Sequence, residues 1–156
     1  MRTTNFSLLL VVLTLCLPAC STTKEPPLIP EGAVLNLQSV RLQALPGANQ
    51  GRPVQVDLVY VYSEDQLRRL QGFNANGWFT SKKTGLLDWQ QQLDIQEVQI
   101  APGETREINS FPKSDQKAVA LAVFADYDTP GLHRFFVVGG ERVNIQLEAQ
   151  TYLVTA

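Results

Sequence analysis

Histidine and cysteine are almost missing from this chain: His133 stands alone, and the two cysteines, Cys16 and Cys20, lie close together near the N-terminus. One histidine excludes a zinc site built on several imidazoles, and its place in a strand-like stretch gives His133 a packing or surface role. There is no surplus of positive charge, with 13 Lys and Arg against 15 Asp and Glu, so nothing suggests the basic stripe of a nucleic-acid binder. No phosphate-cradling pattern occurs, since Gly72, Gly77 and Gly85 match neither a P-loop nor a dinucleotide fingerprint. Ser63 and Ser81 lack the G-x-S-x-G setting of a hydrolase nucleophile. Asp126 and Asp128 flank Tyr127 without the run of acidic residues needed to give calcium its roughly six to eight oxygens, and turn capping is the role expected of them. No spacing of acidic pairs marks two glycosidase carboxylates. These absences leave no catalytic residue, metal site or cofactor to name and favour a binding or structural protein.

What is present begins with an address. Arg2 precedes an apolar stretch from Leu8 to Leu17, broken only by Thr14. That stretch has the length of a signal-peptide core and falls short of the roughly 20 residues that span a bilayer as a helix. It ends in Leu17-Pro18-Ala19-Cys20, which resembles the lipobox of bacterial lipoproteins. The resemblance implies cleavage before Cys20 and acylation of that cysteine, with palmitate among the chains. Two or more acyl chains anchor a protein stably where one does so only marginally. Ser21, in place of the aspartate that retains lipoproteins at the inner membrane, implies the outer membrane. The alternative is an ordinary signal peptide cut after Ala19. Either way residues 1–19, with Cys16, are removed, and with Cys20 acylated the mature domain has no thiol for a disulfide, a metal or a nucleophile.

Residues 20–32 carry Pro26, Pro27 and Pro30 and form a linker, extended because proline favours polyproline II. Residues 33–156 form one domain. Ala33 to Leu42 has strand character, but its apolar phase changes from Leu35 and Leu37 to Val40 and Leu42, which predicts a bulge or bend. From Gln43 to Arg52 the pattern is a long loop holding Pro46, Gly47, Asn49 and Gly51. Pro53 to Ser63 is a strong strand, with Val54, Val56, Leu58, Tyr60 and Tyr62 on one face and Val59 and Val61 making the other apolar too. A helical insertion at about 64–90 supplies the cover: Ser63-Glu64-Asp65-Gln66 fits a capping box, Gly72 closes a first helix, and a second runs from about Ala75 to Lys83 with Trp78 and Phe79.

The remainder alternates as strands. Leu93 to Ile100 slips phase between Ile95 and Val98, Pro102-Gly103-Glu104 makes a turn, and Arg106 to Phe111 is a short edge strand. Lys117 to Tyr127 is the most buried stretch, with Val119, Leu121, Val123 and Ala125 on one face and Ala118, Ala120, Ala122 and Phe124 on the other. Leu132 to Val138 and Arg142 to Leu153 are expected to form a hairpin across Gly139-Gly140. Short strands separated by turns, with one helical insertion, define an all-β fold, an antiparallel β-sandwich.

Taken in order, these parts resemble the TssJ-type outer-membrane lipoproteins of the bacterial type VI secretion system. The residues that carry the resemblance are the lipobox at Cys20, Asn49-Gln50-Gly51-Arg52-Pro53 leading into the strand to Tyr62, and the helical interruption before a strand ending in Ala101-Pro102-Gly103-Glu104-Thr105. The Ala- and Val-rich strand to Phe124 and the closing strand with Val143, Ile145 and Leu147 complete it. The resemblance implies a transthyretin-like sandwich on the periplasmic side of the outer membrane, and no enzyme activity. It further implies binding to the periplasmic C-terminal domain of TssM, an inner-membrane protein, in company with other envelope-complex lipoproteins. In that family the loop between the first two strands is a main contact. Here that loop is Gln43, Ala44, Leu45, Pro46, Gly47, Ala48, Asn49 and Gln50, with Leu45 as apolar anchor. Two rival readings are a ligand-binding module whose pocket Trp78, Phe79 and Trp89 would line, and a hydrolase with His133 beside Asp126 or Asp128.

Overall fold

Val54–Val61 and Ala120–Asp126 are apolar on both faces, so each needs a layer above and below, which only a central strand receives. In the computed structural model, which describes residues 29–30, 32–85, 92–112 and 117–156, these two strands lie side by side in the middle of a sheet. In chain order the elements are β1 (Ser39–Ala44), β2 (Val54–Val61), α1 (Glu64–Gln71), α2 (Ala75–Thr84), β3 (Asp94–Ile100), β4 (Thr105–Ile108), β5 (Ala120–Asp126), β6 (Arg134–Val138), β7 (Arg142–Leu147) and β8 (Tyr152–Thr155). One sheet has the order β4-β1-β7-β8 and the other β3-β2-β5-β6. All pairs are antiparallel except β1 with β7, which run parallel. The fold is the expected all-β sandwich with a helical insertion.

Two cores follow from the two-faced strands. Between the sheets lie Val40, Leu42, Val56, Leu58, Leu121, Val123, Val143 and Ile145. On the outer face of the second sheet, Val59, Val61, Ala120, Ala122 and Phe124 pack under Leu67 and Leu70 of α1 and Trp78 and Phe79 of α2. The small Ala120 and Ala122 let α2 approach closely enough for Trp78 to stack on Phe124 at 4.9 Å between ring centroids. Trp78 is fully buried, so the aromatic pair of the insertion is packing.

Both helices begin at side-chain caps. Ser63 Oγ accepts from the Gln66 N–H at 3.3 Å, and Gln66 Oε1 accepts in return from the Tyr62 N–H, one residue before the cap. Asn74 Oδ1 accepts from the Gly77 N–H. α2 ends at Gly85 in the left-handed conformation, as a C-terminal glycine should. α1 ends differently: Gly72 stays right-handed, and the Arg134 guanidinium reaches over from β6 to donate to the Leu70 and Gln71 carbonyls.

Several expectations change. Gln43 and Ala44 belong to β1 and not to the loop, because their ladder partners Gln146 and Leu147 of β7 extend that far. The phase change before Val40 falls on a bend at Gln38, so the strand starts later than Ala33. The slip in β3 is no bulge, since its register with β2 is unbroken. Leu93 and Ile95 face the helices and Val98 and Ile100 face the other sheet. Alternation in β5 holds from Ala120 onward, but Val119 packs on the helix side and Ala118 on the sandwich side. The hairpin across Gly139-Gly140 does not form: β6 and β7 sit in different sheets, and the two glycines, at φ +79° and +97°, turn the chain from one to the other. The hairpin is instead β7–β8, closed by the Glu148 N–H donating to the Thr151 carbonyl at 2.8 Å. Cys20, with residues 1–28, and Leu86, Leu87 and Trp89 lie outside the described residues.

Candidate functional site

β1 ends, and β2 begins, at the same end of the sandwich, where the β3–β4, β5–β6 and β7–β8 connections also gather. The chain enters the domain at the opposite end, where the Leu35 N–H donates to Ala118 and the Gln38 N–H to Glu141. The loop from Leu45 to Pro53 is therefore carried on the end of the sandwich farthest from its N-terminal approach.

Its backbone is tied at both shoulders. The Leu45 N–H donates to the Leu147 carbonyl at 2.9 Å and the Asn49 N–H to the Glu148 carbonyl at 3.0 Å, while the Gly103 N–H donates to Ala44. Asn49 (φ 45°, ψ 43°) and Gln50 (φ 56°, ψ 34°) are both left-handed, and Gly51 follows at φ +84°. Two consecutive non-glycine residues in this region persist only where the surroundings impose them. At Asn49 the constraint is visible: its Nδ2 donates to the Pro53 carbonyl and to Asp128 Oδ2, at 3.3 and 3.1 Å. Its Oδ1 accepts from the Asp128 N–H at 3.0 Å. Arg52 closes over the same carboxylate at 2.7 Å.

Of the eight residues the sequence points to, the structure brings only part to the surface. Pro46, Gly47 and Gln50 are exposed and Leu45 is half-buried, whereas Ala44, Ala48 and Asn49 are buried and Gln43 is a half-buried strand residue. Asn49 is thus a latch that shapes the loop, and Leu45 with Pro46, Gly47 and Gln50 forms its accessible crest. The crest is uncharged, and the neighbouring Arg52–Asp128 pair cancels its own charge.

Behind the loop stands an aromatic column. Tyr127 donates to the Thr151 carbonyl at 2.6 Å and accepts from the Glu148 N–H at 3.1 Å. His133 stacks on one face of it at 4.7 Å and Tyr152 lies parallel to it at 6.4 Å. Burial pushes the Tyr127 hydroxyl up to about 12, so it stays protonated and keeps donating. His133 Nε2 is hydrogen-bonded to the Thr129 carbonyl at 2.8 Å. Among the described residues no three acidic, histidine or cysteine side chains converge on a metal position. The rival aromatic pocket does not gain Trp78 and Phe79, which are buried beneath α2; its third member, Trp89, lies outside the described residues.

Asp57 belongs to no recognised motif. It lies fully buried on the helix side of β2, accepting from Trp78 Nε1 at 2.8 Å and from Lys82 Nζ at 2.6 Å. Lys82 also reaches Glu97 at 3.0 Å. Burial alone would lower the Lys82 pKa, but its hydrogen bonds to Asp57 and Glu97, aided by their charges, outweigh that and hold it above the ordinary lysine value. An aspartate in the middle of an apolar strand was the available signal, and Trp78 and Lys82, one helical turn apart, were its partners.

The architecture has solved counterparts. No protein-family model matches the chain, and no curated protein sequence does. Among solved structures, the lipoprotein TssJ1 of the type VI secretion system from Pseudomonas aeruginosa is similar at 20% identity and a TM-score of 0.57, over 76% of this chain and 93% of that one. Lip from Serratia marcescens, a membrane-bound component of that system, is similar at 12% identity and 0.56, over 79% and 98%. A chain of the structure described as the TssM C-terminal domain (869–1107) from EAEC is similar at 14% and 0.54, over 80% and 98%. The chain therefore has the sandwich fold of the TssJ-type lipoproteins, over nearly the full length of those solved chains.

Proposed function

We propose that this protein is a lipoprotein anchored through Cys20 to the periplasmic face of the outer membrane. There it tethers a type VI secretion envelope complex by binding the periplasmic C-terminal domain of a TssM-type inner-membrane protein. It does so without catalysis. The observation that carries the reading is the pre-shaped β1–β2 loop, presented at the end of a TssJ-like sandwich opposite the N-terminal approach. A lipid at Cys20 would hold the entry end toward the membrane and turn this loop into the periplasm. A loop already fixed in shape loses little conformational freedom on binding. Anchoring both proteins in one envelope raises their effective concentration, so a small uncharged crest suffices for a lasting connection.

The test is a pull-down from detergent-solubilised envelopes of cells that assemble the machine, with the intact lipoprotein as bait and Cys20→Ser as the control for anchoring. The expected result is recovery of a large inner-membrane protein with a periplasmic C-terminal domain, reduced with Cys20→Ser. Absence of any such protein from the intact bait removes the tethering reading.

A further inference from the structure

Three non-glycine residues among those described have positive φ: Asn49, Gln50 and His133. All three stand at the loop end of the sandwich, two in the β1–β2 loop and one in the connection from β5 to β6. Left-handed strain of this kind gathers where a surface is held ready for a ligand or partner. At His133 (φ 41°) the cause is clear. The ring is clamped between Tyr127 and the turn, with Nε2 on the Thr129 carbonyl, and it lies so close over Gly131 that a Cβ there would come within 2.6 Å of it. Clamping the histidine inward turns the residue before it outward. Leu132 is 64% exposed, the most exposed large apolar side chain among the described residues, while its carbonyl is pinned by the Ala75 N–H at 2.8 Å.

The two loops form one body. Asp128, at the start of the β5–β6 connection, is the residue that Asn49 and Arg52 hold. From there a cleft lined by Asn74, Asn76, Asp128, Thr129 and His133 runs beside Leu132. Its volume is about 330 Å³. Asp128 thus joins the β1–β2 loop, through Asn49 and Arg52, to this cleft. Leu132 stands between its lining residues Gly131 and His133, and the remaining polar side chains of the lining are amides, hydroxyls and an imidazole.

We infer that the β5–β6 connection is a second arm of the same docking surface, with Leu132 as its apolar anchor. This rests on the tethering reading and deepens it: the partner is the same periplasmic domain, and its complementary patch is apolar with uncharged hydrogen-bonding groups. Because the charged groups this surface crosses, Arg52 and Asp128, are paired with each other, binding depends less on salt than at an interface built on unpaired charge.

The experiment is biolayer interferometry on the full-length lipoprotein in phospholipid nanodiscs, with the purified periplasmic domain of the TssM-type protein from the same cells as probe. Unsubstituted protein, Leu45→Ser, Leu132→Ser and Leu153→Ser are compared. Leu153 is a similarly exposed leucine on the outer face of the other sheet and serves as control. The expected result is Kd raised roughly tenfold by Leu132→Ser, as for an anchor residue, with Leu153→Ser within about twofold of the unsubstituted protein and little change with salt. Weakening by Leu45→Ser but not by Leu132→Ser overturns the second arm and leaves the tethering reading standing. Equal weakening by Leu132→Ser and Leu153→Ser overturns it as well. No binding by the unsubstituted protein overturns both.

Discussion

Asn49 has every polar atom of its side chain engaged, with Pro53 and with both the backbone and the carboxylate of Asp128. Truncation to Ala removes these part-buried hydrogen bonds to the Pro53 carbonyl and to Asp128, each worth about 0.5 to 1.5 kcal/mol net. Asn49→Ala should therefore lower the urea midpoint as well as weaken partner binding, and an unchanged midpoint would mean that the latch is dispensable. Gln50 is the opposite case. It is exposed and left-handed, and Gln50→Gly should raise stability by about 1 kcal/mol by relieving the strain; a loss would show that its side chain holds the loop. That Asn49 belongs to a turn was legible in the run of Pro46, Gly47, Asn49 and Gly51. Its role as a latch was not, because the partner lies 79 residues away and nothing local in the sequence points there.

α2 is docked by its buried polar cluster as well as by its rings. Asp57→Ala would strand Trp78 Nε1 without an acceptor and leave Lys82 with Glu97 alone, for a loss of roughly 3 kcal/mol, in the range for breaking a buried pair. Asp57→Asn should recover part of this, since the amide oxygen still accepts from Trp78. The measurement is chemical denaturation followed by tryptophan fluorescence, and equal stability of Asp57→Ala and the parent would remove the cluster from the account of α2. The two-faced character of β2 and β5, the capping signals and the need for a helical cover were all readable as residue patterns. Which sheet a strand joins was not. Alternation tells which way a side chain faces and is silent about the neighbour, so β6 and β7 read as a hairpin across Gly139-Gly140 when they belong to different sheets.

The whole molecule carries an alkaline limit. Burial pushes the Tyr127 hydroxyl up to about 12 and raises Tyr60 and Tyr152 as well, and Lys82 is held above the ordinary lysine value of 10.5. Each group keeps its proton longer in the folded state than in the unfolded one. Their contributions are therefore complete below the ordinary values and are lost as pH rises through the folded ones. Thermal unfolding should be insensitive to these groups up to about pH 10 and fall steeply between about pH 10 and 12. A midpoint that stays level across that window would show that the tyrosines titrate as they do in the unfolded chain.

In the proposed setting one end of the domain is fixed to a membrane and the other to a protein rooted in the opposite membrane. β1 joins the two ends directly: the anchored approach feeds its first residue and the crest follows its last. It is also an inner strand, hydrogen-bonded from Val40 to Gln43 on β4 and from Ser39 to Ala44 on β7. A pull between the membranes would run along β1, at right angles to the bonds on either side. Such a load shears both ladders at once and cannot peel them open one bond at a time. The sandwich would then behave as a stiff link in tension.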